Sequence, residues 1–517
     1  MIKDIKLLWT DDEIDLLKPH ILFLEQKGYH VDTASNGDDA IDKILSEDYD
    51  LMFLDENMPG LSGLEVLNRV KSLKPFLPII MITKSEEEDI MDAAIGSKIS
   101  DYLIKPVNPN QILLTIKKNL DNKRLIARET SMAYQAQFNK IGSEIMTAAT
   151  AEEWKDTYKK LTRWELDLET PGVNAMEEIL KMQKSEANLA FSKYITRNYA
   201  SWFEKDKEKP LLSHNLLKNK VFPLLENNEK VVLLLIDNLR YDQYQILSTE
   251  IEDTMKTLEN DLYFSILPTV TQYSRNALFA GLMPSDIKKI YPQYWYDDDE
   301  EGRKNEFEED LLKGHMQRAG LSYKTHFEKV VSMKAGKKLV ENMPVFLEND
   351  LLVIVYNFVD LLSHARTDLD VLKELANDEG AYRSLTLSWF KHSNLLDILK
   401  TLTEKKLKLI ITTDHGSIRV QNPVKVIGDR FSSTNLRYKH GRNLNFKEKE
   451  VYAVKKPETL HLPGSNISSS FIFARNNDYL VYPKNYNHFV NIYKDTFQHG
   501  GISMEEMMIP IITLEPK

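Results

Sequence analysis

Two sets of residues could do chemistry, and they lie in different thirds of the chain. In the first, Asp11 and Asp12 follow the apolar run Ile5–Trp9 and Asp55 follows Leu51–Leu54. Thr83 closes Pro78–Thr83, and Lys105-Pro106 follows a short strand-like segment containing Tyr102. In open α/β sheets, ligands gather at the carboxyl ends of the strands. Three carboxylates brought together there repel one another unless a cation joins them. Mg²⁺, which prefers hard oxygen donors and keeps part of its water, is the fitting ion. A lysine in such a pocket would neutralise a phosphoryl oxygen, and the Thr83 hydroxyl would donate to another.

The second set lies beyond residue 206. Asp237 ends the run Lys230–Asp237, and Thr271 stands in "LPTVTQYSRNALFAGL". Asp360 and His364 form a D-x-x-x-H after Leu351–Phe358. Asp414-His415 ends Lys406–Asp414 and precedes Gly416, and His499 opens "HGGISMEEMMIP". The chain contains no cysteine, so a metal here must be held by His, Asp, Glu or hydroxyl groups. Histidine and carboxylate are zinc ligands. Two metals about 4 Å apart can clamp the attacking and leaving oxygens of phosphoryl transfer. A threonine hydroxyl is a weak nucleophile unless a metal holds it as an alkoxide.

The elements needed to position these residues are legible in the pattern. A length of 517 residues suits two to four domains of ~100–200 residues. In residues 1–120, short apolar runs alternate with amphipathic stretches such as Ile14–Gln26 and Asp38–Ser46, which predicts a doubly wound parallel sheet. Residues 121–205 carry apolar side chains at three- and four-residue spacing, including Trp154, Tyr158, Leu161 and Trp164, which predicts about three helices packed as a bundle. From 206 to 517, buried-strand runs and helical patterns alternate again.

Charge follows the same division. The net charge is −11, and residues 1–120, with 13 basic and 22 acidic side chains, carry −9 of it. Such a balance argues against a general nucleic-acid coat. No apolar run approaches the ~20 residues of a membrane helix, and the N-terminus lacks a signal-peptide core. The expected location is therefore the cytoplasm.

The first set, with "DENMPG" at Asp55–Gly60, resembles the receiver domain of two-component response regulators, a flavodoxin-like fold, over residues 1–120. The resemblance implies that Asp11, Asp12 and Asp55 hold Mg²⁺ and that a sensor histidine kinase supplies the phosphoryl group Asp55 accepts. It also implies Thr83 and Tyr102 as the switch pair, Lys105 as the phosphoryl contact, a commonly cis Lys105-Pro106 bond, and a phosphorylation-favoured homodimer.

The second set resembles the alkaline phosphatase superfamily, most closely its PglZ branch, over residues 206–517, with Glu505 and Glu506 after the His-Gly-Gly as part of the likeness. By that resemblance two Zn²⁺ are held, one by Asp360, His364 and His499, the other by Asp237, Asp414, His415 and the oxygen of Thr271, the nucleophile. A Thr nucleophile favours phosphodiesterase branches. Those branches usually place an Asn three residues further on, where this chain has Ser274, leaving Arg275, Asn276 and Arg240 as candidate phosphate contacts. His440 and His461 lie in region 425–465, whose Arg437, Lys439 and Arg442 could guide an anionic substrate.

The serial order resembles the PorX-type regulators of the Bacteroidetes type IX secretion system. It implies a phosphoesterase acting on cyclic or linear oligonucleotides. The rival reading is a regulatory adaptor whose zinc is structural and which binds an extracytoplasmic-function sigma factor or a secretion-system component.

Overall fold

A computed structural model describes residues 5–75, 77–84, 99–169, 174–204, 207–297, 304–362, 378–428, 432–464 and 469–517, without the side chains of 121–128 and 174–175. The chain forms two compact units, one reaching Ala133 and the other holding Tyr134–Glu169 and Asn174–Lys517.

In the first unit, β1 (Ile5–Thr10), β2 (Tyr29–Ala34), β3 (Leu51–Asp55), β4 (Ile79–Thr83) and β5 (Asp101–Ile104) pair in the order β2-β1-β3-β4-β5. Every pairing is parallel. Both faces of such a sheet are covered, which is why its strands read as unbroken apolar runs. Leu7, Trp9, Phe53, Ile80 and Ile82 pack on one face, and Leu8, Met52, Leu54, Ile79 and Met81 on the other. Helices α1 (Lys18–Gln26), α2 (Gly37–Ser46) and α3 (Gly63–Leu73) flank it.

The helix expected over Ile14–Gln26 is divided. Ile14–Leu17 forms a 3-10 turn, and α1 starts afresh with Pro19 in its first turn. Proline has no N–H to donate within a helix and is tolerated only where none is needed. Helix α4 (Pro109–Thr147) begins in this unit and ends in the second.

The second unit opens on the end of α4, then α5 (Ala151–Leu168) and α6 (Asn174–Asn198). Thr150 and Glu153 close a capping box at the start of α5, satisfying backbone donors that a helix start leaves open. The stripe Trp154, Tyr158 and Leu161 is buried, and Trp154 meets Phe191 of α6 edge-on at 5.4 Å.

Next comes a six-stranded sheet of β6 (Val231–Ile236), β7 (Met255–Phe264), β8 (Thr325–Val330), β9 (Leu351–Tyr356), β10 (Lys408–Thr412) and a last strand, Met508–Pro516. Strands β10, β6, β9 and β8 run parallel. Met508–Pro516 lies antiparallel between β10 and β7. This is the mixed α/β domain the alternation predicted. A smaller sheet of Tyr438–Arg442, Ser469–Ala474 and Val451–Val454 accompanies it.

Candidate functional site

Strand register builds the pocket of the first unit. Thr10 pairs beside Leu54, Asp55 beside Ile82 and Thr83 beside Ile104. Asp11, Asp55 and Lys105 therefore leave neighbouring strands at one edge. Lys105 Nζ stands 2.8 Å from Asp11 Oδ2 and 2.7 Å from Asp55 Oδ1. Burial raises the Asp55 carboxyl above its ordinary value, against the pull of Lys105. Asp11, Asp12 and Asp55 each present an oxygen within 4.8 Å of the others, an all-oxygen donor set that fits Mg²⁺. Thr83 is buried and its hydroxyl donates to Glu56. Tyr102 is 39% exposed, and the Lys105-Pro106 bond is cis.

The second site also sits at carboxyl ends. Strands β9, β6 and β10 are adjacent, so Asp360, Asp237 and Asp414 leave one edge together. Thr271 is the first residue of α7 (Thr271–Ala280), where free N–H groups and the helix dipole favour negative charge. Thr271 Oγ1 lies 3.1 Å from His415 Nε2. That nitrogen is 3.6 Å from Asp414 Oδ2 and 3.8 Å from Asp237 Oδ1. The His415 and His499 rings stack at 4.2 Å, and His499 Nε2 is 3.7 Å from Asp360 Oδ1.

His499 Nδ1 faces the Thr269 carbonyl at 3.2 Å, and His415 Nδ1 faces that of Gly416 at 3.2 Å. A carbonyl only accepts, so each δ-nitrogen is placed to donate, and each ε-nitrogen faces the carboxylates. Outer-layer partners commonly prepare metal ligands in this way. Asp237, Asp414 and His415 each offer a donor atom within 4.8 Å of the others. Two carboxylates and an imidazole fit zinc.

The guanidinium of Arg275 is fully buried among these acids. Its Nε donates to Asp414 Oδ2 at 3.1 Å, and its terminal nitrogens meet Asp237 and, at 3.5 Å, Glu308. Burial pushes the Asp237 carboxyl well above its ordinary value, with Arg275 opposing and the Asp414 charge adding to the shift. Burial also acts to raise Asp414, yet Arg275 and His415 hold it down to about 2.

A cavity of about 580 Å³ opens on Asp237, Thr271, Arg275 and Asp360. His364 lies outside the described residues.

Three expected phosphate contacts are placed elsewhere. Arg240 is buried against Asp242 and lies over the Phe497 ring at 5.2 Å. Ser274 returns its hydroxyl to the Val270 carbonyl one turn back, at 2.8 Å. Asn276 donates to the Lys304 carbonyl at 3.1 Å. None of the three lines the cavity; of the four, only Arg275 does.

The basic cluster in 425–465 is also corrected. Arg437 forks onto Glu506, and Lys439 is buried over the Tyr482 ring, 4.3 Å away. His440 stacks on Phe471 at 4.2 Å and His461 packs beside Phe203 at 5.4 Å. Of these five residues only Arg442 is exposed, so they do not form a shared steering surface. Conversely, Lys304, Phe327, Lys329 and Asn357 line the cavity although no motif marks them. They come from an edge strand, a strand end and a loop whose composition is ordinary.

An acid pocket on a parallel five-stranded sheet, followed by helices and an α/β domain that gathers carboxylates and histidines at its strand ends, defines a response regulator with an enzyme-like effector. Family models agree. The response regulator receiver domain matches residues 7–117, and the PorX response regulator linker domain matches 124–203. The BREX system PglZ alkaline phosphatase-like domain matches 216–514. That last match covers more than half of the chain, and the chain belongs to the PglZ family, in the receiver-plus-PglZ arrangement of the PorX-type regulators.

Over 112 residues, 22% of this chain and 46% of the relative, it is 38% identical to the transcriptional regulatory protein ResD of Bacillus subtilis. It is 34% identical over 129 residues to the alkaline phosphatase synthesis transcriptional regulatory protein PhoP of the same organism, covering 25% of this chain and 53% of that one. The matches thus span about half the length of these relatives. A CheY-like receiver domain from Methanospirillum hungatei is 29% identical with a TM-score of 0.23, covering 23% of this chain and 96% of that chain.

An alkaline-phosphatase-like domain suggests phosphoesterase activity, and domains of both kinds generally use metal ions, Mg²⁺ in receivers. A receiver implies a sensor kinase partner and often dimerises. Among the described residues, no helix is long and apolar enough to cross a membrane.

Proposed function

We propose that the effector is a zinc-dependent phosphodiesterase with Thr271 as nucleophile, acting on cyclic or linear oligonucleotides under control of Asp55 phosphorylation. The observation that carries this reading is the hydroxyl of Thr271 at a helix start, 3.1 Å from His415 Nε2 and open to the cavity beside Asp237 and Asp360. Asp237, Asp414, His415 and Thr271 would hold one zinc, and Asp360, His364 and His499 the other. The pair would supply Lewis acidity and a lowered hydroxyl pKa.

In the first half-reaction, Thr271 Oγ1 gives up its proton to solvent and forms a bond to phosphorus while the bond from phosphorus to the leaving alcohol breaks. The departing oxygen takes a proton as it leaves. Water then attacks the threonine ester, the Thr271 oxygen departs, and the hydroxyl is restored. Arg275, fixed in the cavity wall, gives an entering phosphoryl oxygen a buried cation to meet. The cavity volume suits a small ligand, and Lys304, Lys329 and Phe327 around it suit a phosphate joined to a flat base.

Control by the receiver would run through a sensor histidine kinase, phosphorylation of Asp55 and a phosphorylation-favoured homodimer, with type IX secretion as the process served. Turnover of a panel of monoesters, diesters and short oligonucleotides, with added zinc, tests the reading. Thr271→Val should remove turnover by about 10³-fold or more while keeping the fold. Retained activity contradicts the assigned nucleophile. A folded, zinc-loaded wild type without turnover on any substrate leaves the adaptor.

A further inference from the structure

The loop that carries His499 is held on two sides. From within the effector, Glu506 accepts from Gly501 N–H at 2.8 Å and from the Ser503 hydroxyl at 2.7 Å, and Arg437 locks its carboxylate. Thr269 adds a second inner tie, its hydroxyl accepting from Gly500 N–H at 3.0 Å.

The other side belongs to α6, in the helical region that precedes the catalytic domain. Asn188, 3% exposed, accepts from Met504 N–H through Oδ1 at 2.7 Å and donates through Nδ2 to Glu505 Oε2 at 2.9 Å. The amide orientation follows from its partners: reversing it would set donor against donor and acceptor against acceptor. Lys184, one turn earlier on α6, stands 3.3 Å from the other Glu505 oxygen and 2.6 Å from Glu165 of α5. Ser192, one turn later, faces the Ile502 carbonyl at 3.4 Å.

Residues 502–505 are thus gripped along three successive turns of one helix. The grip reaches both histidines. The Glu505 carbonyl lies so close to Gly416, the neighbour of His415, that a β-carbon there would sit 2.1 Å from it. Moving Glu505 therefore disturbs the His415 turn as well as the His499 loop. Nothing in the spacing of the zinc-ligand motifs points to α6.

We propose that Asn188 is a positioning residue of the metal centre, holding the Met504–Glu505 peptide so that His499 and His415 stay in zinc-binding geometry. This rests on the zinc-dependent reading above. Helix α6 then works as an outer wall of the active site as well as a connector, and a change in its packing is felt first as a change in zinc affinity.

The test exchanges the two partners. Asn188→Asp sets a carboxylate against Glu505. Asn188→Asp with Glu505→Gln restores both hydrogen bonds of position 188, because the introduced aspartate still accepts from Met504 N–H and the introduced glutamine donates to it. Zinc affinity of the full chain is measured by chelator competition, and the kcat and KM for bis(p-nitrophenyl) phosphate are measured alongside.

Asn188→Asp should weaken one or both zinc sites by about 10–100-fold, the usual cost of losing an outer-layer partner, and the exchanged pair should recover wild-type affinity. If Asn188→Asp does not fold, the exchanged pair must still fold and bind zinc as wild type does. Wild-type affinity in Asn188→Asp, or an exchanged pair as weak as the single variant, overturns the inference alone. A wild type that takes up no zinc overturns the parent reading, and this inference falls with it.

Discussion

The two acid pockets of this chain solve one problem with different cations. Each gathers carboxylates at the carboxyl ends of parallel strands, and each sets a basic side chain between them. In the first unit Lys105 bridges Asp11 and Asp55, with Asp12 exposed beside them. In the second, Arg275 spans Asp237 and Asp414 with Glu308 behind it, and all four residues are buried. A lysine is a compact, strongly hydrated point charge that suits a pocket open to exchange of Mg²⁺ and phosphoryl groups. A guanidinium fixes several acceptors in one plane and is more easily stripped of water. The lysine suits a pocket whose charge changes, and the guanidinium suits acids held in one fixed arrangement.

That contrast can be broken by experiment, and the largest effect should fall on the simplest change. Asp55→Asn should abolish phosphoryl uptake from acetyl phosphate, measured by intact mass, because it removes the proposed acceptor carboxylate that stands 2.7 Å from Lys105. A modified Asp55→Asn protein would mean that the pocket is misassigned.

Next, Arg275→Lys should lower kcat/KM for a diester by about 10²-fold, the scale of losing one fixed donor at a developing charge. Lys105→Arg should reduce the phosphorylation rate by less. Equal losses would erase the distinction between point charge and fork.

Two smaller predictions concern what supports the second site. Gly281 ends α7 with φ +61°, and a β-carbon there would lie 2.2 Å from the His315 ring. Gly281→Ala combines a left-handed alanine, about 1–2 kcal/mol, with overpacking of about 1–3 kcal/mol. Chemical denaturation should show the effector transition weakened by their sum.

Burial also lowers His315 to about 4. The unfolded chain takes up that proton near pH 6.5 and the folded chain only near 4. Its stabilising contribution is therefore complete above pH 6.5 and lost as pH falls through that window, by about 3 kcal/mol at most. His315→Gln should flatten the acid limb of the effector's melting curve; an unchanged limb would assign the acid sensitivity elsewhere.

The first unit was readable almost whole because its chemistry is local to strand ends, and a parallel strand buried on both faces announces itself as an apolar run. Asp11, Asp55 and Lys105 needed only the strand order to meet. The meeting of Asp237, Asp360, Asp414, His415 and His499 was legible for the same reason, although Asp237 and His499 lie 262 residues apart.

Its walls were not readable. Arg240 sits three residues from Asp237 and looked like a phosphate contact, yet Asp242 and the Phe497 ring claim it first. Ser274 and Asn276 share Arg275's helix, but helical geometry turns only one of the three side chains into the cavity. Asn188 carries no signal at all, since one buried asparagine on an amphipathic helix reads as an ordinary polar residue until its partners at Met504 and Glu505 are seen.

As the proposed nucleophile, Thr271 becomes covalently phosphorylated during turnover. Zinc-loaded protein mixed rapidly with bis(p-nitrophenyl) phosphate, quenched in acid and digested for mass spectrometry, tests it directly. A burst of p-nitrophenol and a p-nitrophenyl phosphoryl adduct on Thr271, absent from Thr271→Val, are expected. Steady turnover with no burst and an unmodified Thr271, or an adduct on another residue, would contradict it.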